Sequence, residues 1–490
     1  MFNDFNGLKD VFFDSLITFG GKKGKNVERQ NVGLIGQFPD NGAWFGCIAE
    51  GEEERGAYSD LSIAIFPSNE DTSNDDRWIV SLIVGSSGYM NDYDLASLPG
   101  TRRLFVRHLP NGSYVKSDFL DIELHSGITS YLKGKYPPSL KKTIEKYRKY
   151  ILACTIIDPN NVDIENESFV AENVLKLYAA LYAHLREWDD KDKSNQNVRD
   201  AVAKVLRKSA VANSEKEDGS KELEEADVIS LLEKRKYVVL QGAPGTGKTR
   251  LAKKIVGSNK VFFTQFHAET SYSDFVYGIL PSVNSENLSY STLEGVFVKA
   301  IKYAIEHKEE TVYLIIDEIN RANLSNVLGP SFYLFEPFME ENKDIQIEVC
   351  PGLSLSKLPE NLYVIATMNT ADRSLAVVDF ALRRRFAWYN MYPHEVKPDG
   401  GLVFRAVEFN DIAWIFEKYA TDDELNLQPG QAYFIVSGTT VEEQDANMKL
   451  RMRYEIMPLI KEYLENGMLT RAKDEFINYF RNIIGEELYR

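Results

Sequence analysis

The chain has 490 residues, 44% hydrophobic and 27% charged, enough for two or three domains with their own cores and too apolar for a disordered scaffold. Its net charge of −16, from 57 Lys and Arg against 73 Asp and Glu, is the wrong sign for gripping nucleic acid over most of a surface, so any DNA contact must be local. No apolar run approaches the roughly twenty residues of a membrane span, the start Met1-Phe2-Asn3-Asp4-Phe5-Asn6 lacks a basic region followed by an apolar core, and Cys47, Cys154 and Cys350 lie far apart, without metal-ligand spacing; a cytoplasmic protein in a reducing compartment, with no membrane partner, is expected.

The first part of the chain, 1–206, reads as a separate domain of mixed α/β or β-rich character. Short β-branched and aromatic runs separated by turn residues predict strands at Gly42-Ala43-Trp44-Phe45-Gly46, at Leu61 to Phe66 and at Trp78 to Val84. From Pro138 the pattern becomes helical, with apolar residues three and four apart over Leu140 to Ile151 and Glu172 to Glu187. Candidate contacts for DNA are Arg102, Arg103 and Arg107, and the stretch from Lys141 to Lys149. Trp44, Trp78 and Tyr89 with the loop Gly85-Ser86-Ser87-Gly88 could stack a flipped base, although tryptophans in strands are more often core. This part shows no constellation of two acids and a lysine suited to cutting nucleic acid. The segment 207–227, with the aromatic-free run from Ser214 to Glu222, reads as a charged linker, and no internal repeats occur.

The apolar run Tyr237-Val238-Val239-Leu240 leads into Gly242-Ala243-Pro244-Gly245-Thr246-Gly247-Lys248-Thr249. This is a phosphate-binding loop in its proper strand-to-helix setting: the glycines let backbone N–H groups face a polyphosphate, Lys248 reaches the terminal phosphates, and Thr249 ligates magnesium. A second run, Val312 to Ile316, delivers Asp317 and Glu318, the first to hold hydrated magnesium and the second to orient and polarise the attacking water. A third, Leu362 to Met368, brings Asn369 to the same sheet edge, within reach of a γ-phosphate or the lytic water. Arg383, Arg384 and Arg385 then close a helix, suited to stabilising charge on a transferring phosphoryl group. Such arginines usually act on a neighbouring subunit's nucleotide, which implies assembly with sites at subunit interfaces. His267, alone between two elements, is assigned to packing rather than chemistry.

Four segments in order resemble the McrB family of AAA+ motor subunits from modification-dependent restriction systems: Phe266-His267 with Ser271 to Phe275 and Gly278; Asp317-Glu318-Ile319-Asn320-Arg321-Ala322-Asn323; Met368 to Leu375, reading Met-Asn-Thr-Ala-Asp-Arg-Ser-Leu; and Ala381-Leu382-Arg383-Arg384-Arg385-Phe386. Residues Ala268-Glu269-Thr270 depart from the family, where a proline is frequent. The resemblance covers about 228–490 and implies an α/β AAA+ core over 228–392 with a helical lid over 393–490, a P-loop NTPase module preceded by the separate first domain. It implies a ring, commonly hexameric, that hydrolyses GTP or ATP with Mg2+, reads DNA, with modified bases as candidate targets, through the first domain, and activates a separate McrC-like nuclease in anti-phage restriction. Asn369 and Asp372 would lie in the family's signature loop, Arg373 would link that loop to the adjacent subunit, and Arg384 with Arg385 would supply the finger acting in trans. The competing expectation is a chaperone-like AAA+ ring that remodels protein complexes, which the acidic balance favours slightly.

Overall fold

The computed structural model describes residues 5–21, 28–31, 44–48, 60–67, 77–123, 128–132, 136, 140–159, 170–190, 194–213, 221–284, 287–336, 345–371 and 380–489. The chain divides into two compact units, 1–218 and 219–490.

The first unit runs α1 (Phe5–Thr18), β1 (Glu28–Asn31), β2 (Trp44–Ile48), β3 (Leu61–Phe66), β4 (Trp78–Val84), α2 (Tyr93–Ser97), α3 (Pro99–His108), β5 (Tyr114–Val115), α4 (Ile128–Tyr131), α5 (Lys141–Tyr147), β6 (Ile151–Ile157), α6 (Ala171–Leu185) and α7 (Gln196–Asn213). Its strands form one sheet in the order β1-β2-β3-β4-β6-β5, with every neighbouring pair antiparallel. β3 and β4 are buried throughout, and the period of two explains how. Leu61, Ile63, Ile65, Val80, Leu82 and Val84 pack with Phe12, Tyr178 and Tyr182 of α1 and α6, while Ala64, Phe66, Ile79 and Ile83 pack on the other face with Leu140 and Ile144.

Two expectations change here. The helix predicted over Leu140 to Ile151 ends at Tyr147, because the run Ile-Leu-Ala-Cys-Thr-Ile-Ile pairs with β4 (Trp78 opposite Ile157, Ser81 opposite Cys154) and β-branched side chains fit that pleated surface. Helix also enters both ends of the segment 207–227: α7 continues to Asn213, and α8 (Lys221–Arg235) begins the second unit. Val228 and Leu232 of α8 are buried in the second unit, which is why that end is helical.

A buried polar corner braces the first unit. Asp60, at φ 59°, accepts N–H bonds from Met90, Asn91 and Asp92 and from the Asn91 side chain. Asp92 in turn takes Arg186 on both oxygens, at 2.6 and 2.7 Å, and the Leu61 N–H. The aromatics considered for a flipped base are used in packing: Trp78 is buried edge-on to Phe45, and the Tyr89 hydroxyl donates to Phe119 O at 2.7 Å. The side chain of Trp44 lies outside the described residues.

The second unit continues from α8 with β7 (Tyr237–Gly242), α9 (Lys248–Val256), β8 (Lys260–Gln265), α10 (Tyr272–Phe275), β9 (Tyr277–Asn284), β10 (Asn287–Glu294), α11 (Val296–Glu306), β11 (Val312–Asp317), α12 (Leu324–Leu328), β12 (Ile347–Cys350), β13 (Leu353–Leu355), β14 (Leu362–Asn369), α13 (Phe380–Arg385) and β15 (Ala387–Met391). Five strands make a parallel sheet in the order β15-β7-β14-β11-β8. Parallel strands need cover on both faces, and the central ones have it. Val239, Leu314, Ile316, Val364 and Ala366 join Phe297 and Phe335 on one face; Val238, Leu240, Ile315 and Ile365 join Leu251 and Ile255 of α9 on the other.

After β15 come β16 (Val403–Phe404), α14 (Ala406–Tyr419), β17 (Ile435–Val436), α15 (Val441–Arg451), α16 (Met457–Glu465) and α17 (Lys473–Ile484). They pack around Phe409, Phe416, Phe434, Ile456, Phe476 and Phe480, a core separate from those of the sheet.

Candidate active site

Because all five strands of this sheet run the same way, their carboxyl ends share one edge. The edge carries the phosphate loop after β7, Asp317 at the end of β11 and Asn369 at the end of β14, with Asn369 in register with Gly242. Such an edge is the usual ligand face of an open parallel sheet. β14 lies between β7 and β11, so its side chains bridge the loop and the carboxylates.

The loop turns through Gly245 at φ +82° and Gly247 at φ +87°, backbone that only glycine adopts cheaply. Lys248 is buried, and its ammonium donates to Gly242 O at 3.0 Å and Ala243 O at 2.8 Å. Thr246 Oγ1 donates to Ala243 O at 2.9 Å and tightens the turn.

Asp317 is held by two hydroxyls on one oxygen: Thr249 Oγ1 donates to Oδ1 at 2.7 Å and Thr367 Oγ1 donates to the same atom at 2.6 Å. Thr367 also accepts the Glu318 N–H at 3.0 Å. That bond supports an unusual backbone, since Glu318 sits at φ 54°, ψ 50°. A non-glycine residue there costs of order 1–3 kcal/mol, and the conformation turns the chain sharply just where β11 delivers its two acids. The Glu318 carboxylate pairs with Arg321. Asn320, buried in the same turn, donates from Nδ2 to Asn369 O at 3.3 Å and joins the ends of β11 and β14.

The residues fit a magnesium–nucleotide complex. The loop supplies a glycine-built turn with a buried lysine, and a threonine hydroxyl is already aligned on a carboxylate. Among the described residues no group of three His, Cys, Asp or Glu could hold a metal alone. Bound there, magnesium would supply charge neutralisation between the terminal phosphates.

A segment of the last subdomain closes the back of the loop. Gly430 N–H donates to Pro244 O at 2.9 Å, Ala432 N–H to Gly245 O at 3.0 Å, and Gln431 Nε2 to Thr246 O at 2.8 Å. A Cβ on Gly430 would come within 2.2 Å of the Gly245 backbone, and one on Gly245 within 2.8 Å of the Tyr433 ring. Both glycines are therefore required by close approach, and Gly245 by its positive φ as well.

The three arginines of α13 are differently placed. Arg383 lies over the Trp388 ring at 5.2 Å, Arg384 is 67% exposed, and Arg385 is 12% exposed. Asp372 and Arg373 lie outside the described residues. Of the sequence-assigned residues the described structure thus brings Gly242 to Thr249, Asp317, Glu318 and Asn369 to one edge. It adds Thr367, Asn320 and Gln431, which sequence reasoning missed. Thr367 had a signal, a hydroxyl two positions before Asn369 in an otherwise apolar strand and so on the same face; Gln431 had none.

Residues 237–386 match the AAA domain of the dynein-related subfamily. The second unit contains an AAA module. Over 270 residues the chain is 32% identical to the type IV methyl-directed restriction enzyme EcoKMcrB subunit of Escherichia coli K12, covering 50% of this chain and 58% of that protein. Over 189 residues it is 28% identical to the type II restriction enzyme BsuMI component YdiS of Bacillus subtilis 168, covering 31% of this chain and 55% of that protein. The chain thus spans little more than half the length of either relative. The McrB-like likeness and the AAA match make this module a P-loop NTPase. Among the described residues no helix is long and apolar enough to cross a membrane.

Proposed function

We propose that the chain is the motor subunit of a restriction system: a GTP- or ATP-hydrolysing protein, magnesium-dependent, that assembles into a ring, most simply a hexamer, and couples turnover to DNA recognition by its first unit and to a separate McrC-like nuclease. The observation that carries this is the sheet edge itself. The phosphate loop, Asp317 and Glu318 converge there, while Arg384, 67% exposed, lies on α13. The site therefore has the parts for binding and for water activation in one subunit and takes its charge-stabilising arginine from the next.

We assign the residues the following roles. Lys248 exchanges its two loop carbonyls for terminal phosphate oxygens. Thr249 and Asp317 hold the magnesium, the latter through water. Glu318, released from Arg321 or sharing it, orients the lytic water, and Asn369 senses the γ-phosphate. By the family resemblance alone, Asp372 would belong to the signature loop and Arg373 would link it to the adjacent subunit.

The test is hydrolysis of GTP and of ATP by the full chain, with its mass in solution measured with and without each nucleotide, and gel shifts on methylated and unmethylated duplexes at several salt concentrations. Nucleotide-dependent assembly and salt-sensitive DNA binding are expected. A chain that hydrolyses nucleotide but binds no duplex at any salt would refute the restriction reading and favour protein remodelling.

A further inference from the structure

The end of α13 holds an arrangement that the site described above leaves unused. Glu336 directly follows the 3-10 segment Gly329–Phe335, and its carboxylate meets two of the three arginines. Arg384 Nη2 lies 2.7 Å from Oε1 and 2.9 Å from Oε2, and Arg385 Nη2 lies 2.9 Å from Oε2. The surroundings of the two guanidinium groups differ. Arg385 is nearly buried and lies over the Phe332 ring at 4.4 Å. Arg384 is mostly exposed, and among the described residues only its Nη2 is recorded with a partner.

Glu336 is itself firmly placed. The preceding residue, Phe335, is buried and stacks on Phe297 and on Phe386. The backbone that presents the carboxylate is therefore anchored in the core of the parallel sheet, and Phe386 ties the same core to the end of α13.

We propose that Glu336 is a positioning residue for Arg384. It tethers one nitrogen of the guanidinium and leaves the Nε and Nη1 edge for the triphosphate of an adjacent copy of this chain. An untethered exposed arginine samples many rotamers, few of which reach a phosphate; fixing Nη2 narrows that distribution before the neighbour arrives. Arg385 is the inner counter-charge, 2.9 Å from Oε2, that holds the Glu336 carboxylate in place. Two guanidinium charges against one carboxylate leave the cluster net positive, so it still attracts phosphate. This inference rests on the ring reading above.

The experiment uses the full chain, GTP and ATP as probes, and mixtures of variant subunits. Glu336→Ala should lower kcat about 10- to 100-fold, a fraction of the ~10³–10⁵ that an arginine finger supplies, with KM little changed because its own phosphate loop is intact. Glu336→Gln, which keeps the shape and loses the charge, should fall between Glu336→Ala and the parent and guards against a folding defect. Lys248→Ala subunits bind no nucleotide but carry intact arginines, so adding them should restore turnover to Glu336→Ala as they do to Arg384→Ala. Parental kcat in both Glu336 variants would overturn the proposal. So would rescue of Arg384→Ala without rescue of Glu336→Ala, which would put Glu336 in the service of its own subunit. Failure to rescue Arg384→Ala at every ratio would refute the trans arrangement itself and the proposal with it.

Discussion

Thr367 is the residue whose removal tests the site most directly. Its hydroxyl donates to Asp317 Oδ1 at 2.6 Å and accepts the Glu318 N–H at 3.0 Å, and it is 2% exposed, so Thr367→Val keeps the shape and deletes both bonds. A hydrogen bond to a charged group contributes about 1.5–3 kcal/mol, and leaving a buried N–H without an acceptor costs about 1–3 kcal/mol. Thr249 still holds Asp317 Oδ1, which recovers part of the first amount. A net loss of about 2–4 kcal/mol in stability follows. The same two bonds orient Asp317, the proposed magnesium carboxylate, and support the left-handed backbone of Glu318. At about 1.4 kcal/mol per factor of ten, a kcat lower by about 10- to 100-fold and a raised magnesium half-saturation are expected. The assay is hydrolysis of GTP and ATP over a magnesium titration, with denaturant unfolding in parallel; Thr367→Ser, which keeps the hydroxyl, should recover most of both. A folded Thr367→Val protein with parental kcat and magnesium dependence would refute the reasoning.

Lys248→Ala should lose nucleotide binding, whereas Glu318→Gln should bind and stall, since only the second leaves the phosphate cradle intact; normal turnover in Glu318→Gln would remove that residue from the mechanism. Gly245→Ala combines a φ of +82° with a contact to Tyr433, so it should weaken nucleotide binding, and adding Tyr433→Ala should restore only the part due to the contact; full recovery in the double variant would show that the backbone angle is not limiting. In the first unit, burial pushes the Asp60 carboxyl up, but N–H bonds from Asp92, Asn91 and Met90 and the Asn91 amide outweigh it and hold the group below its usual range. A carboxyl depressed on folding stabilises above its unfolded pKa, and that contribution is lost as pH falls through the folded value. Asp60→Asn should therefore lower the unfolding midpoint at pH 7, with a difference from the parent that shrinks below about pH 4; a constant difference down to pH 3 would argue that packing rather than charge is responsible.

The candidate site's sheet edge was legible because its proposed chemistry depends on contiguous residues. A phosphate loop needs glycines, a lysine and a threonine at fixed spacing, and Asp317 with Glu318 follows an apolar strand whose end is visible in the sequence. What the sequence hid depends on strand order and on distant segments. Thr367 matters only because β14 lies between β7 and β11, an order that no local pattern announces. Gln431 reaches Thr246 across a separation of 185 positions, and Glu336 meets Arg384 across 48. The three arginines were indistinguishable as letters; Trp388, Phe332 and Glu336 separate them in space. In the first unit the failure was local, since Ile151 continued a plausible helical spacing and only its pairing partner on β4 makes it strand.

The lid contacts bear on how hydrolysis could become movement. Three successive loop carbonyls, those of Pro244, Gly245 and Thr246, accept hydrogen bonds from the segment Gly430 to Ala432. Carbonyls turned toward the lid leave the loop's N–H groups free to face a phosphate on the other side, so the lid segment forms the rear wall of the cradle. A second tie runs from the end of β14, where Thr370 Oγ1 donates to Asn426 O at 2.8 Å, one residue beyond Asn369. Two elements that would touch the nucleotide, the loop and the end of β14, are thus each bonded to the same subdomain. A shift of either when the γ-phosphate leaves must either break those bonds or carry the lid with it. Gly430 packs so closely on the loop that an added Cβ would lie 2.2 Å from the Gly245 backbone, so the first alternative would open a tight contact. Rigid coupling at the phosphate end therefore makes the lid the part through which a change of nucleotide state would leave the site.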